Sequence, residues 1–108
     1  MADTLKVLAQ AIPASGVLTD IYTVPGATST AISSIVVCNE GSATSFRISI
    51  AVAGATDDPK QYLYYDVKLA TKDTFIATVG VTLAATAVVR ASSASGLIAF
   101  SIFGVEVT

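Results

Sequence analysis

Between Thr44 and Gly54 large and small side chains take turns. Phe46, Ile48, Ile50 and Val52 occupy every second position, and Arg47, Ser49, Ala51 and Ala53 fill the gaps. Side chains on a strand alternate between its two faces, so one face here is large and apolar and the other small or polar. That pattern predicts a strand lying on a core. Gln61–Leu69 repeats it, with Leu63, Tyr65, Val67 and Leu69 against Tyr62, Tyr64, Asp66 and Lys68. So does Thr74–Leu83, with Phe75, Ala77, Val79, Val81 and Leu83 against Thr74, Ile76, Thr78, Gly80 and Thr82. Gly80 marks a bulge or a close backbone approach.

The remaining segments are read the same way. Thr4–Ile12 is a strand candidate with a blurred pattern, ended by Pro13. Val17–Val24 is rich in β-branched and aromatic residues. Pro25-Gly26 after it is the pair a type II turn favours, with Gly26 taking the positive φ. Ser29–Cys38 ends in the run Ile35-Val36-Val37-Cys38, which predicts a central strand buried on both faces and forming a hairpin with Thr44–Gly54. Asp57, Asp58 and Pro59 form a turn. Ala85–Ala91 is a short strand, and Ser92–Gly96 reads as a hairpin loop. Leu97–Val107 places Leu97, Ala99, Ser101, Phe103, Val105 and Val107 on one face and Ile98, Phe100 and Ile102 on the other. This strand is apolar on both sides, as at a subunit contact or in the middle of a sheet.

No stretch carries a sustained helical stripe. Eight strand candidates at about 8–12-residue spacing predict an all-β fold, one antiparallel β-sandwich domain spanning 1–108 with jelly-roll topology.

Composition changes the picture in one respect. Apolar residues make up 53% of the 108 and charged residues 13%, against about 25% charged in ordinary domains. So few charges on a small domain imply that part of its surface is covered by another protein. A membrane span is not expected: the longest charge-free run, Ile21–Asn39, contains Pro25, Gly26 and many hydroxyl side chains. A signal peptide is not expected either, since Asp3 comes early and the apolar run is short. The net charge of −2 with scattered Lys and Arg gives nucleic acid no electrostatic footprint.

Catalytic chemistry has little to work with. The chain contains no histidine, so it lacks a triad base and an imidazole ligand. Glycine-rich phosphate loops are missing as well. Cys38, the one cysteine, excludes an internal disulfide and is read as a small core residue. Asp57 and Asp58 resemble a turn more than a calcium site. No catalytic, metal or cofactor-binding residue is therefore assigned, and no enzyme activity is expected. Tyr62 and Tyr64, on one face of their strand, are candidate contact residues for a protein partner or a sugar. Ile98, Phe100 and Ile102 complete the set of candidate interface residues.

The segment Lys6–Ile50 (KVLAQAIPASGVLTDIYTVPGATSTAISSIVVCNEGSATSFRISI) and the segment Lys60–Leu83 (KQYLYYDVKLATKDTFIATVGVTL) together resemble small virion structural proteins of tailed bacteriophages. The features that carry the resemblance are KVL-Q, LT-IYTVP, I-S-IVVCN-G, T-FRI and an aromatic Y-L-YD ahead of a polar turn. The resemblance implies a non-enzymatic virion component, assembled in the host cytoplasm and partnered by other virion proteins. Within that class the expectation is a homotrimeric capsid cement or decoration protein on the major capsid protein. The alternatives are a neck, tail, baseplate or fibre-base component, and a carbohydrate-binding β-sandwich module.

Overall fold

The computed structural model describes residues 3–108, and among these there is no α-helix. The chain forms eight strands: β1 (Asp3–Ala11), β2 (Thr19–Thr23), β3 (Ser29–Asn39), β4 (Thr44–Ala51), β5 (Tyr62–Leu69), β6 (Thr74–Leu83), β7 (Val88–Ser93) and β8 (Ile98–Val107). They make two four-stranded antiparallel sheets. The first has the order β1-β8-β3-β6, the second β2-β7-β4-β5. The fold is the expected all-β sandwich.

Consecutive strands mostly change sheet. Only β4 and β5 follow each other and pair, joined by Val52–Gln61 with its two short 3-10 turns. β3 and β4 therefore do not form the expected hairpin, and Ser92–Gly96 is not a hairpin loop. Both of these connections cross from one sheet to the other, because the strands they join each have an apolar side to bury and facing sheets bury both at once. β7 also begins at Val88 and runs through Ser92 and Ser93, which pair with Arg47 and Phe46. The turn after Pro25 lies one residue later than expected, with the positive φ on Ala27 (55°) and not on Gly26.

The core lies between the sheets. Val24, Ile32, Ile35, Val37, Phe46, Ile48, Val89, Ile98, Phe100 and Ile102 are all at most 1% exposed. β3 alternates strictly in its last turns: Ile35 and Val37 are buried, while Val36 and Cys38 are half-exposed on the outer side. This corrects the reading of Ile35–Cys38 as buried on both faces and of Cys38 as a core residue. The strand is central, between β8 and β6, but its sheet has only one covered face.

β8 pairs on both sides, and its neighbours bulge where they meet it. β1 carries an extra residue at Leu8 and β3 one at Ser33. β6 carries one more at Val79-Gly80, opposite Ser33, so Gly80 does mark a bulge. Aligned bulges bend a sheet and increase its twist. At one end of the sandwich Asn39 ties two connections together: its amide donates to the Ser42 and Ala70 carbonyls at 2.9 Å, and its oxygen accepts from Gly41 N–H.

The two sheets are also linked by a polar network at the β1 edge. The Tyr22 hydroxyl donates to Glu106 Oε2 and lies 2.9 Å from Thr30 Oγ1, and Lys6 Nζ donates to Glu106 Oε1 at 3.2 Å. Burial and then the Glu106 bond push Tyr22 up to about 12. The Tyr22 hydroxyl, and secondarily Lys6, hold the Glu106 carboxyl below its ordinary range. A depressed carboxyl contributes stability above its unfolded value near 4.5 and loses it as pH falls through the folded one. A raised tyrosine contributes below 10 and loses it as pH rises toward 12. Melting temperature measured from pH 7 down to pH 3 is thus expected to fall more steeply for the wild type than for Glu106→Gln. Parallel curves would remove Glu106 from the acid limb.

Candidate functional site

The tyrosine-rich strand β5 is irregular, and its irregularity builds a surface cluster. Phe46 pairs with Val67 and Ile48 with Tyr64, so Tyr65 and Asp66 together stand opposite Arg47. Asp66 takes φ 52°, a left-handed conformation that Asp tolerates better than most residues. A second irregularity follows at once, since Ile48-Ser49 faces Tyr64 and Tyr62 with Leu63 extra. Two bulges thus reverse the alternation twice. Tyr64 points inward, its ring 5.5 Å from Phe75 and 6.3 Å from Phe46. Tyr62 stands on the Ser49 rung and turns outward, where its ring meets Tyr65 edge-on at 5.1 Å.

The candidate pair Tyr62 and Tyr64 is therefore split between the two faces, and Tyr65 replaces Tyr64 at the surface. Strict period two cannot place residues across a bulge. Asp66 beside Arg47 supplied no sequence signal, because the pair lies 19 positions apart. Ile98, Phe100 and Ile102 are fully buried in the core of the single chain. They hold the sheets together and leave no side chain for a partner.

The cluster is closely partnered within itself. Arg47 forms a forked pair with Asp66, Nε to Oδ1 at 2.6 Å and Nη2 to Oδ2 at 3.1 Å. Its guanidinium also lies 4.0 Å from the centre of the Tyr65 ring. Arg47 holds the Asp66 carboxyl below its ordinary range, chiefly through these hydrogen bonds. The Tyr62 hydroxyl donates to Asp57 Oδ1 at 2.8 Å, and burial followed by that bond raises its pKa. Arg47, Asp57, Pro59, Tyr62 and Tyr65 line a groove of about 410 Å³. Asp58 serves the adjoining turn, accepting the Lys60 N–H at 3.1 Å. Tyr and Arg held in fixed positions are the residues that anchor protein contacts most strongly. The groove holds one hydroxyl beside a carboxylate, Tyr62 on Asp57, and the raised pKa of that tyrosine disfavours the nucleophilic phenolate. Close by, Ser49 Oγ and Gln61 Oε1 are buried without a hydrogen-bond partner.

The rest of that outer face is charged. Asp20 pairs with Arg90 at 2.8 Å, and Arg90 also donates to the Ala55 and Gly54 carbonyls, strapping the Val52–Gln61 connection onto the sheet. Lys68 stands on the Ser45 rung.

The outer face of the first sheet is different. Its rungs read Leu5–Val105–Ala31–Thr82, then Val7–Phe103–Ser34–Thr78, then Gln10–Ser101–Val36–Ile76 across the four strands. Leu5 is 81% exposed and Ile76 63%. Among the outward positions of these strands, Asp3 at one corner is the only charged residue. Cys38 lies on this face, paired with Ala99 and Thr74.

Among the described residues no group of three or more His, Cys, Asp or Glu is placed to hold a metal ion. No helix there is long and apolar enough to cross a membrane. Fold and surface together define an antiparallel β-sandwich with one charged, aromatic face and one face of mixed apolar and hydroxyl side chains whose strands carry a single outward charge, Asp3. No protein-family model matches the chain, and no curated protein shows significant similarity to it.

Proposed function

We propose that this protein is a non-enzymatic structural component of a tailed-bacteriophage virion, a cement or decoration protein that stabilises the head by binding the major capsid protein as an oligomer. The observation that carries the reading is the charge-poor four-stranded outer face of the first sheet. An isolated domain of this size gains nothing by exposing Leu5 and Val7 at one edge of a sheet and Ile76 at the other, whereas a subunit of an assembly can cover them. The fold supports the same reading. The neighbour pairs β1·β8, β2·β7, β3·β6 and β4·β5 support the jelly-roll reading, in which one long hairpin is rolled up, an arrangement found among viral capsid domains. A partner that binds only the assembled shell stabilises it by mass action. A trimer matches the three-fold positions of an icosahedral lattice, where one contact is repeated many times.

The test is copy number in purified particles, measured by quantitative mass spectrometry against the major capsid protein. On the order of hundreds of copies is the expected result for a lattice-wide protein. A few to a few tens would instead mean the neck, tail, baseplate or fibre base, and absence from particles would overturn the virion reading.

A second reading, a carbohydrate-binding module, is favoured by the Tyr62–Tyr65 groove with Asp57 on its rim. Against it, the Arg47 guanidinium already stacks on Tyr65. Glycan binding abolished by Tyr62→Ala would support this alternative.

A further inference from the structure

We propose that copies of this chain meet through the outer face of the first sheet, β1-β8-β3-β6, and that the second sheet's outer face stays free for other partners. The inference deepens the oligomeric reading above and rests on it.

Three observations select a second copy as the occupant. The first is charge. An interface between identical chains brings like residues into the same contact, so every charged group on it risks facing its own kind. Here the four strands offer only Asp3, at a corner. The other broad face would have to bury Arg47, Asp66, Asp20, Arg90 and Lys68, and desolvating such pairs is costly.

The second is area. The molecule is a slab with extents of 44 × 27 × 19 Å, and this face is one of its broad sides. Four strands about 4.8 Å apart and about ten residues long cover roughly 600 Å² in projection. Side-chain relief brings the accessible area close to the ~800 Å² per partner of a standard stable interface.

The third is the chemistry of the exposed groups. Leu5 and Val7 on β1 and Ile76 on β6 stand at opposite edges of the sheet, with the half-buried Phe103, Val105 and Val36 between them. Apolar groups therefore stand at both edges and in the middle of the face, and the polar groups among them, Gln10, Ser34, Thr78, Thr82 and Ser101, are uncharged.

The test uses the purified full chain. Light scattering after size exclusion at micromolar concentration is expected to give a multiple of the 11.0 kDa chain mass. The double substitution Leu5→Asp, Ile76→Asp changes two highly exposed side chains, and is expected to weaken association at least ~100-fold and leave a folded monomer. Tyr65→Asp, on the opposite face, is the control and should remain oligomeric. Independently, Cys38 sits on the proposed contact, so its reaction with a thiol reagent should slow as wild-type concentration rises. That measurement stands even if the double variant does not fold. A wild type that is monomeric at all concentrations, an oligomer that survives the double substitution, or a Cys38 rate independent of concentration would each overturn the proposal. An oligomer broken only by Tyr65→Asp would place the contact on the other face. Copy number per particle is a separate measurement, so the failure of this contact and the failure of the virion reading are told apart.

Discussion

Phe46→Ala is expected to destabilise the fold by about 4 kcal/mol, near the middle of the range for removing a buried aromatic ring. Phe46 is 1% exposed on β4 and bridges the two sheets. Its ring lies 5.6 Å from Phe75 and 6.1 Å from Phe100 of the first sheet, and 6.3 Å from Tyr64 of its own. Alanine would leave a void bounded by three rigid rings, none of which can collapse into it without leaving its own packing. Domains of this size have about 5–15 kcal/mol in all, so the loss is a large share. The melting temperature should fall by about 20 °C at roughly 4–8 °C per kcal/mol. In urea the midpoint should drop with the slope unchanged. Val52→Ala, at a side chain 74% exposed on the β4–β5 connection, should cost far less. Equal losses at the two positions would mean that the inter-sheet cluster is not the centre of stability.

Gly104→Ala is expected to cost about 3 kcal/mol although it adds a single methyl group, because overpacking against backbone has no cheap relief. Gly104 is buried on β8 beside the β3 bulge at Ser33. A Cβ there would overlap the Ala31 carbonyl oxygen and sit 3.1 Å from both the Ala31 carbonyl carbon and Ile32 Cα. These are backbone atoms of a central strand, so relief requires the β3–β8 ladder to move. Gly80 provides the contrast: it also sits at a bulge, but a Cβ built on it meets nothing within 4 Å. Gly80→Ala should be close to neutral, within about 0.5 kcal/mol. Chemical denaturation of the two variants side by side tests the argument, and similar stabilities would sink it.

Much of this architecture was legible in the chain. β6 follows its predicted alternation along its whole length, from the exposed Thr74 to the buried Leu83. The eight strands lie close to their expected positions, because the period-two signal is local. The candidate interface was less legible. Tyr62 and Tyr64 looked like one face, yet the extra residue between them, Leu63, puts them on opposite faces. On β8 the alternation was read correctly, but nothing local said which of its two apolar faces would meet the other sheet. Ile98, Phe100 and Ile102 went to the core, and Ala99, Ser101 and Phe103 to the outside.

The sequence by itself determined the strands, their approximate ends, the all-β class and the shortage of charge, since each depends on neighbouring side chains and composition. Only the tertiary structure decided which strands pair, where the bulges fall and which apolar face stays uncovered. Those features depend on contacts between distant residues, such as Tyr22 with Glu106 and Arg47 with Asp66. A strand cannot know from its own pattern which of two greasy faces another sheet will cover.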